Sequence, residues 1–194
     1  MRGLARAVEV GERVFLRPLA AADEREYRAL LRASRAFHRR WFPAPPPGFD
    51  PAGPEAFRRA LEHRANADRV VVCRAEDGAI VGSFHLSEIV RGPFQNAFLG
   101  YWAGAPFRGQ GYMGAGLPLL LRRAFGPLAL HRVEANIQPQ NAPSIALVRG
   151  AGFRNEGLAR RYLKIAGRWR DHEHWVLLAE DWRAAGKRSR SRTR

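Results

Sequence analysis

The sequence predicts a mixed α/β domain with a sheet of about seven strands flanked by helices. Three observations carry that expectation. Apolar residues recur at helical spacing in some segments and alternate or run on over strand lengths in others, without an internal repeat. Glu76-Asp77-Gly78 puts hairpin chemistry between two long β-prone runs. A glycine-rich turn at residues 107–114 then joins an apolar strand to an apolar helix. At 194 residues the chain is long enough for one sizeable core. No linker suggests a second domain, so residues 1–183 read as one unit.

In chain order, residues 13–17 form a short strand that ends at Pro18. Residues 21–33 form a helix, with Tyr27, Leu30 and Leu31 at helical spacing and Asp23, Glu24 and Glu26 where negative charge favours the dipole. A second short helix at 35–40 runs into Trp41-Phe42-Pro43-Ala44-Pro45-Pro46-Pro47-Gly48, too rich in proline for regular structure. A third helix, 54–65, begins with proline. Strands follow at 70–75, 80–89 and 95–103, an antiparallel set leading into the glycine turn. The helix at 112–125 carries Gly116 and Pro118, which predict a kink or a late start. A strand at 132–138, a helix at 142–151, and strands at 153–165 and 172–178 joined across Ala166-Gly167-Arg168 complete the domain. Beyond Trp182 apolar periodicity stops, and residues 184–194 read as a basic, disordered tail.

The chain has 33 basic residues against 18 acidic ones, a formal charge of +15, and all but Lys164 and Lys187 of the cations are arginine. Guanidinium groups suit phosphate and carboxylate, so the field favours a polyphosphate ligand, nucleic acid or an RNA-bound partner. Cys73, the only cysteine, lies in a buried-strand pattern and reads as a core residue. With neither a signal-like run nor a membrane-length apolar segment, a cytoplasmic protein without a membrane partner is expected. His172 and His174 share a strand face. Without a further ligand cluster they read as packing or hydrogen-bonding residues, and no metal is expected. Neither an RNA-binding motif nor a helix-turn-helix signature is present.

Gly109, Gly111 and Gly114 remove side chains that would hold a ligand off the main chain, next to a helix start whose free N–H groups favour an anion. Arg108 adds charge there, and Met113 can point into the core. The order of elements, with Arg108-Gly109-Gln110-Gly111 and with Asn141-Ala142-Pro143-Ser144 followed by Ala151-Gly152-Phe153, resembles the GNAT acetyltransferases. More narrowly, His131-Arg132-Val133-Glu134-Ala135-Asn136, Gly152-Phe153-Arg154-Asn155-Glu156-Gly157 and Gly167-Arg168-Trp169-Arg170-Asp171-His172 resemble the ribosomal-protein-alanine N-acetyltransferases of the RimJ/RimL type. The likeness runs from about residue 14 to residue 182.

The resemblance implies a GNAT fold, a mostly antiparallel sheet whose central strands splay, with acetyl-CoA as cosubstrate. By that likeness Tyr101, Trp102 and Ala103 belong to the cofactor strand, and Arg108, Gly109, Gln110, Gly111, Tyr112, Met113 and Gly114 to the pyrophosphate loop. Asn141 and Ser144 contact the coenzyme arm, and Ser144 hydrogen-bonds the leaving thiolate. As helix-start residues both can equally serve as caps. Glu134, on the splayed strand with Asn136 on the same face, is the candidate base, or equally a solvent-facing ion-pair residue. Trp41, Tyr162, Trp169, Asp171 and His172 are candidate substrate contacts. The carboxylate that some relatives place before Tyr162 is Arg161 here. The expected reaction is direct acetyl transfer to a protein N-terminal amine, foremost the N-terminal alanine of a ribosomal protein. Alternatives are a small amine (polyamine, amino sugar or antibiotic) and a non-enzymatic ribosome- or RNA-binding role. Contact of the tail with ribosomal RNA and an oligomeric state both stay open.

Overall fold

Val14-Phe15-Leu16 and Val70-Val71-Val72-Cys73 are apolar on both sides of the pleat, as strands covered on both faces must be. The computed structural model describes residues 3–191 and sets these runs within one mixed sheet. Its strands are β1 (Glu9–Val10), β2 (Val14–Arg17), β3 (Asp68–Arg74), β4 (Ile80–Val90), β5 (Asn96–Ala103), β6 (Arg132–Ile137), β7 (Arg154–Ile165) and β8 (Arg168–Leu178). They lie in the order β1-β2-β3-β4-β5-β6-β8-β7, antiparallel at every pairing except β5–β6.

Helices α1 (Glu24–His38) and α2 (Pro54–Leu61) pack on one face, where Tyr27, Leu30 and Phe57 meet Phe15, Val71, Cys73 and Ile80. Helices α3 (Tyr112–Phe125) and α4 (Ala142–Gly150) pack on the other, where Leu117, Leu120, Leu121 and Val148 meet Leu16, Val72, Phe84 and Val133. Helix α5 (Ala179–Ser191) follows β8 and lays Trp182 against that second core. At the entry to α1, Asp23 binds the Arg17 guanidinium with both oxygens, at 2.6 and 2.9 Å, and both residues are buried.

The mixed fold stands as expected, with eight strands in place of about seven. The added strand is β1, whose two residues pair with Phe15 and Leu16 and are too short to show a period. The two helices expected at 21–33 and 35–40 are one. Ser34, which falls between the two expected helices, is buried in the interior of α1, its hydroxyl donating to the Leu30 carbonyl at 2.7 Å and accepting the Ala105 N–H at 2.8 Å. That second bond fastens α1 to the start of the glycine turn. Helix α3 starts at Tyr112 and continues through Pro118, so there is no late start. Strand β8 begins at Arg168, four residues before the expected 172. Helix α5 continues to Ser191 across most of the segment read as a tail, and residues 192–194 lie outside the described residues.

Pairing of β5 with β6 runs through Asn96↔Arg132, Ala97↔Val133 and Phe98↔Glu134 and then stops. Both strands go on, to Ala103 and Ile137.

Candidate active site

The divergence of β5 from β6 opens a cleft of about 810 Å³, lined from β5 by residues 99–103 and from β6 by Asn136 and Ile137. The Gly104 N–H bonds back to Val81 on the β4 side, so by strand alternation the main-chain groups of Tyr101 and Ala103 face the open side. The Ala103 carbonyl confirms this direction, since it accepts a hydrogen bond from His38 Nε2 at 2.9 Å. The Tyr101 N–H is then a backbone donor turned into a cleft, as a developing oxyanion requires.

At one end of the cleft lies the glycine turn. Gly109 and Gly111 have φ of 71° and 79°, a left-handed conformation that favours glycine, and Gly111 is the residue before α3. The first bond of α3 runs from the Ala115 N–H to the Gly111 carbonyl, leaving the N–H groups of Tyr112, Met113 and Gly114 ahead of it. A Cβ at Gly109 or Gly114 would meet nothing within 4 Å, so a ligand has room to approach the backbone. The Arg108 guanidinium lies 4.6 Å from the Phe37 ring centre and stays exposed. Gln110 turns its side chain away to the Pro106 carbonyl and does not line the cleft. Met113 packs against the core. A backbone cradle of this kind with flanking arginine fits a diphosphate group.

The turn has a second cation that sequence reading missed. Arg13, at the β1–β2 turn, donates from Nη2 to the Gln110 carbonyl at 2.8 Å and lies 5.2 Å from the Tyr112 ring centre. No carboxylate pairs with Arg13 among the described residues. At nearly a hundred residues' separation, nothing local in the sequence links it to the turn.

From the α4 side, Asn141 caps the helix by accepting the Ser144 N–H at 3.4 Å. The Ser144 carbonyl accepts from the Tyr101 hydroxyl at 3.3 Å, which ties α4 to β5, and Ser144 lines the cleft. Burial pushes the Tyr101 phenol up to about 12, so it stays a donor at neutral pH. Trp102 is held edge-on between Tyr27 and His38, with ring centres at 5.4 and 5.7 Å.

The opposite wall comes from β6, β8 and the segment after α1. Trp41 and His172 line it, as do Gln138 and His38, neither of which the sequence singled out. Asn136 Nδ2 donates to the Tyr162 hydroxyl at 3.2 Å, and the Tyr162 ring stands 5.5 Å from His172 and 5.3 Å from His174. Tyr162 itself is behind the lining. Asp171 accepts the Arg161 N–H at 2.7 Å, which fixes the β7–β8 hairpin, and Trp169 is 60% exposed at its far end. Glu134 is buried and outside the lining, its carboxylate 3.0 Å from Arg132 Nε and 3.9 Å from His174 Nδ1. The lining therefore includes no Asp or Glu. Among the described residues no group of three or more His, Cys, Asp or Glu could hold a metal ion.

The chain matches the family model described as "Acetyltransferase (GNAT) domain" over residues 13–154. It is 30% identical over 176 residues to a probable N-acetyltransferase, YjcK, of Bacillus subtilis, covering 88% of this chain and 97% of that one. It is 37% identical over 107 residues to the [ribosomal protein uS5]-alanine N-acetyltransferase of Escherichia coli, covering 55% of each. Among solved structures, Mycobacterium smegmatis RimJ in complex with CoA-disulfide superposes with a TM-score of 0.76 at 29% identity, covering 89% of both chains. The spermidine N-acetyltransferase of Vibrio cholerae, solved with CoA and spermine, gives 0.74 at 24% identity over 89% of this chain and 99% of that one, a likeness of fold alone. With its parted central strands, glycine turn and matching family model, the chain belongs to the GNAT acetyltransferases.

Proposed function

We propose that the protein transfers the acetyl group of acetyl-CoA to the α-amino group of a protein N-terminus, most directly the N-terminal alanine of a ribosomal protein. The observation that carries this choice of acceptor is the absence of any carboxylate from the cleft lining. A polyamine brings several positive charges, and a site for it needs carboxylates to replace their hydration. A peptide N-terminus brings one charge, lost before attack, and an extended backbone suited to the unpaired groups along β6 and to the amides of Asn136 and Gln138. The relation to the uS5-alanine enzyme supports the same acceptor.

In this reading the amides of residues 109–114, with Arg108 and Arg13, hold the diphosphate of the cosubstrate. The open side of β5 takes its pantetheine arm, and the Tyr101 N–H donates to the thioester oxygen as negative charge develops there. The Ser144 hydroxyl hydrogen-bonds the departing thiolate, and Asn141 fixes the α4 turn that presents it. Trp41, above the acceptor wall, flanks the peptide, while Tyr162, Asp171 and the Trp169 hairpin hold the far side of that wall. Glu134 contributes as a charge that orders Arg132 and His174 beneath it.

Labelled acetyl-CoA offered with alanine-starting ribosomal peptides, spermidine and amino sugars tests the choice. Transfer to the peptides is expected, at a kcat/KM at least about tenfold above that for any small amine, a difference worth about 1.4 kcal/mol. Transfer confined to small amines would overturn the protein acceptor while leaving the cosubstrate site intact.

A further inference from the structure

Attack on a thioester leaves the amine nitrogen positively charged, and amide formation requires that it lose a proton. The groups already assigned do not provide for this. Tyr101 and Ser144 are donors, and the Glu134 carboxylate is bound to Arg132 outside the lining. We propose that Nε2 of His172 is the base that takes this proton, a role that rests on the acyl-transfer reading above.

Five observations converge on it. His172 is only 3% exposed, yet it lines the cleft. Its Nδ1 is 3.1 Å from the Arg170 carbonyl, and a carbonyl can only accept, so Nδ1 carries the hydrogen and Nε2 of the neutral ring carries the lone pair. Nε2 has no protein partner among the described residues. The ring is held in place by Tyr162, itself held by Asn136. Beside it Asn136 Oδ1 and His174 Nε2 are buried and, among the described residues, without hydrogen-bond partners.

His174 and Asp171 on β8 act on the ring and Tyr162 on β7 packs against it; Glu134 with Arg132 on β6 is reached through His174, and His38 on α1 shares the cleft lining. Burial lowers the His172 pKa; the Arg170 carbonyl and Asp171 oppose this, His174 adds to it, and the net shift is downward from 6.5. The imidazole is then neutral at physiological pH. A weak base suffices, because the proton comes from the cationic nitrogen of the tetrahedral adduct, which is far more acidic than a free ammonium ion. The amine nitrogen forms a bond to the thioester carbon, His172 Nε2 removes one N–H proton, and the C–S bond breaks as the carbonyl re-forms. The imidazolium returns the proton to the thiolate through the Ser144 hydroxyl or water, so amine and thioester become amide and thiol.

The test compares the intact protein with His172→Gln between about pH 5 and pH 9, using whichever amine the wild type acetylates. The wild-type kcat is expected to fall on the acid side with a pKa below 6.5. The variant is expected to lose that limb and about 10²-fold to 10³-fold in kcat, with acetyl-CoA affinity by calorimetry within about twofold of wild type. A variant kcat within about threefold of wild type, or an acid limb that persists in His172→Gln and vanishes in His38→Gln, would overturn the assignment. Nitrogen-15 NMR of the histidine rings reads the same claim without any acceptor. It is expected to show His172 neutral with the hydrogen on Nδ1 near neutral pH, and a hydrogen on Nε2 would contradict it. Absence of peptide transfer by the wild type refutes the acceptor instead, and the ring spectrum still reports on His172.

Discussion

His85 is a buried ring whose protonation couples stability to pH. It lies against Gly100, where any Cβ would overlap the ring, and burial, aided by the Arg69 charge, pushes its pKa down to about 4 from 6.5. Between those values the unfolded chain binds a proton that the folded chain does not, so stability is complete above about pH 6.5 and falls as pH drops toward 4. The full loss is on the order of 3 kcal/mol. His38 and His172, whose pKa values burial also lowers, add to it with the same sign. Urea unfolding at neutral pH and near pH 4.5 is expected to show this fall, and His85→Gln is expected to flatten it; an unchanged slope would refute the linkage. Gly100 cannot be enlarged without disturbing this contact and the cofactor strand together. At the same scale, Asp23 shows why a buried charge must keep its partner, since removing it strands the Arg17 guanidinium in the core at a cost of about 3–5 kcal/mol.

Among the elements, legibility followed the range of the determining contact. The bounds of α3 could be read because Gly111 ends the turn and the apolar period begins at once. The β3–β4 hairpin could be read because Asp77 accepts the Ala79 N–H at 3.0 Å, a local bond that its residue type announces. Helix α1 is not legible as one helix, because the bond that fixes Ser34 in its interior reaches Ala105, far along the chain. The site divides the same way. The glycine turn, Asn141 and Ser144 are contiguous motifs, whereas Arg13, His38 and Gln138 enter only through tertiary contact. Helix α5 carries the element-scale prediction. Its residues 183–186 are exposed and the chain from 184 onward is basic, so it adds charge without adding core. Deleting residues 184–194 is expected to leave peptide acetylation within about twofold and to weaken salt-sensitive binding to ribosomal RNA, as filter binding across salt would show. Unaltered RNA affinity would exclude a contact between this segment and ribosomal RNA.

At the scale of the whole molecule, a charge of +15 and a cleft lining without carboxylates favour attraction of a polyanionic cosubstrate to a seat without competing anions. The fold class was legible from alternating periods, but the parting of β5 from β6 after Phe98 was not, because both strands keep their strand pattern past the point where pairing ends. Only the family resemblance anticipated it. The seat depends on Gly111, where φ is 79° and a Cβ would come within 3.0 Å of Arg13 Nη1. Titration calorimetry of the intact protein with acetyl-CoA, repeated on Gly111→Val, tests this most directly. One molecule bound per chain is expected, with affinity lowered by about tenfold or more in the folded variant, because a β-branched residue strains that backbone. No uptake by the wild type, or equal affinity in the two proteins, would contradict it.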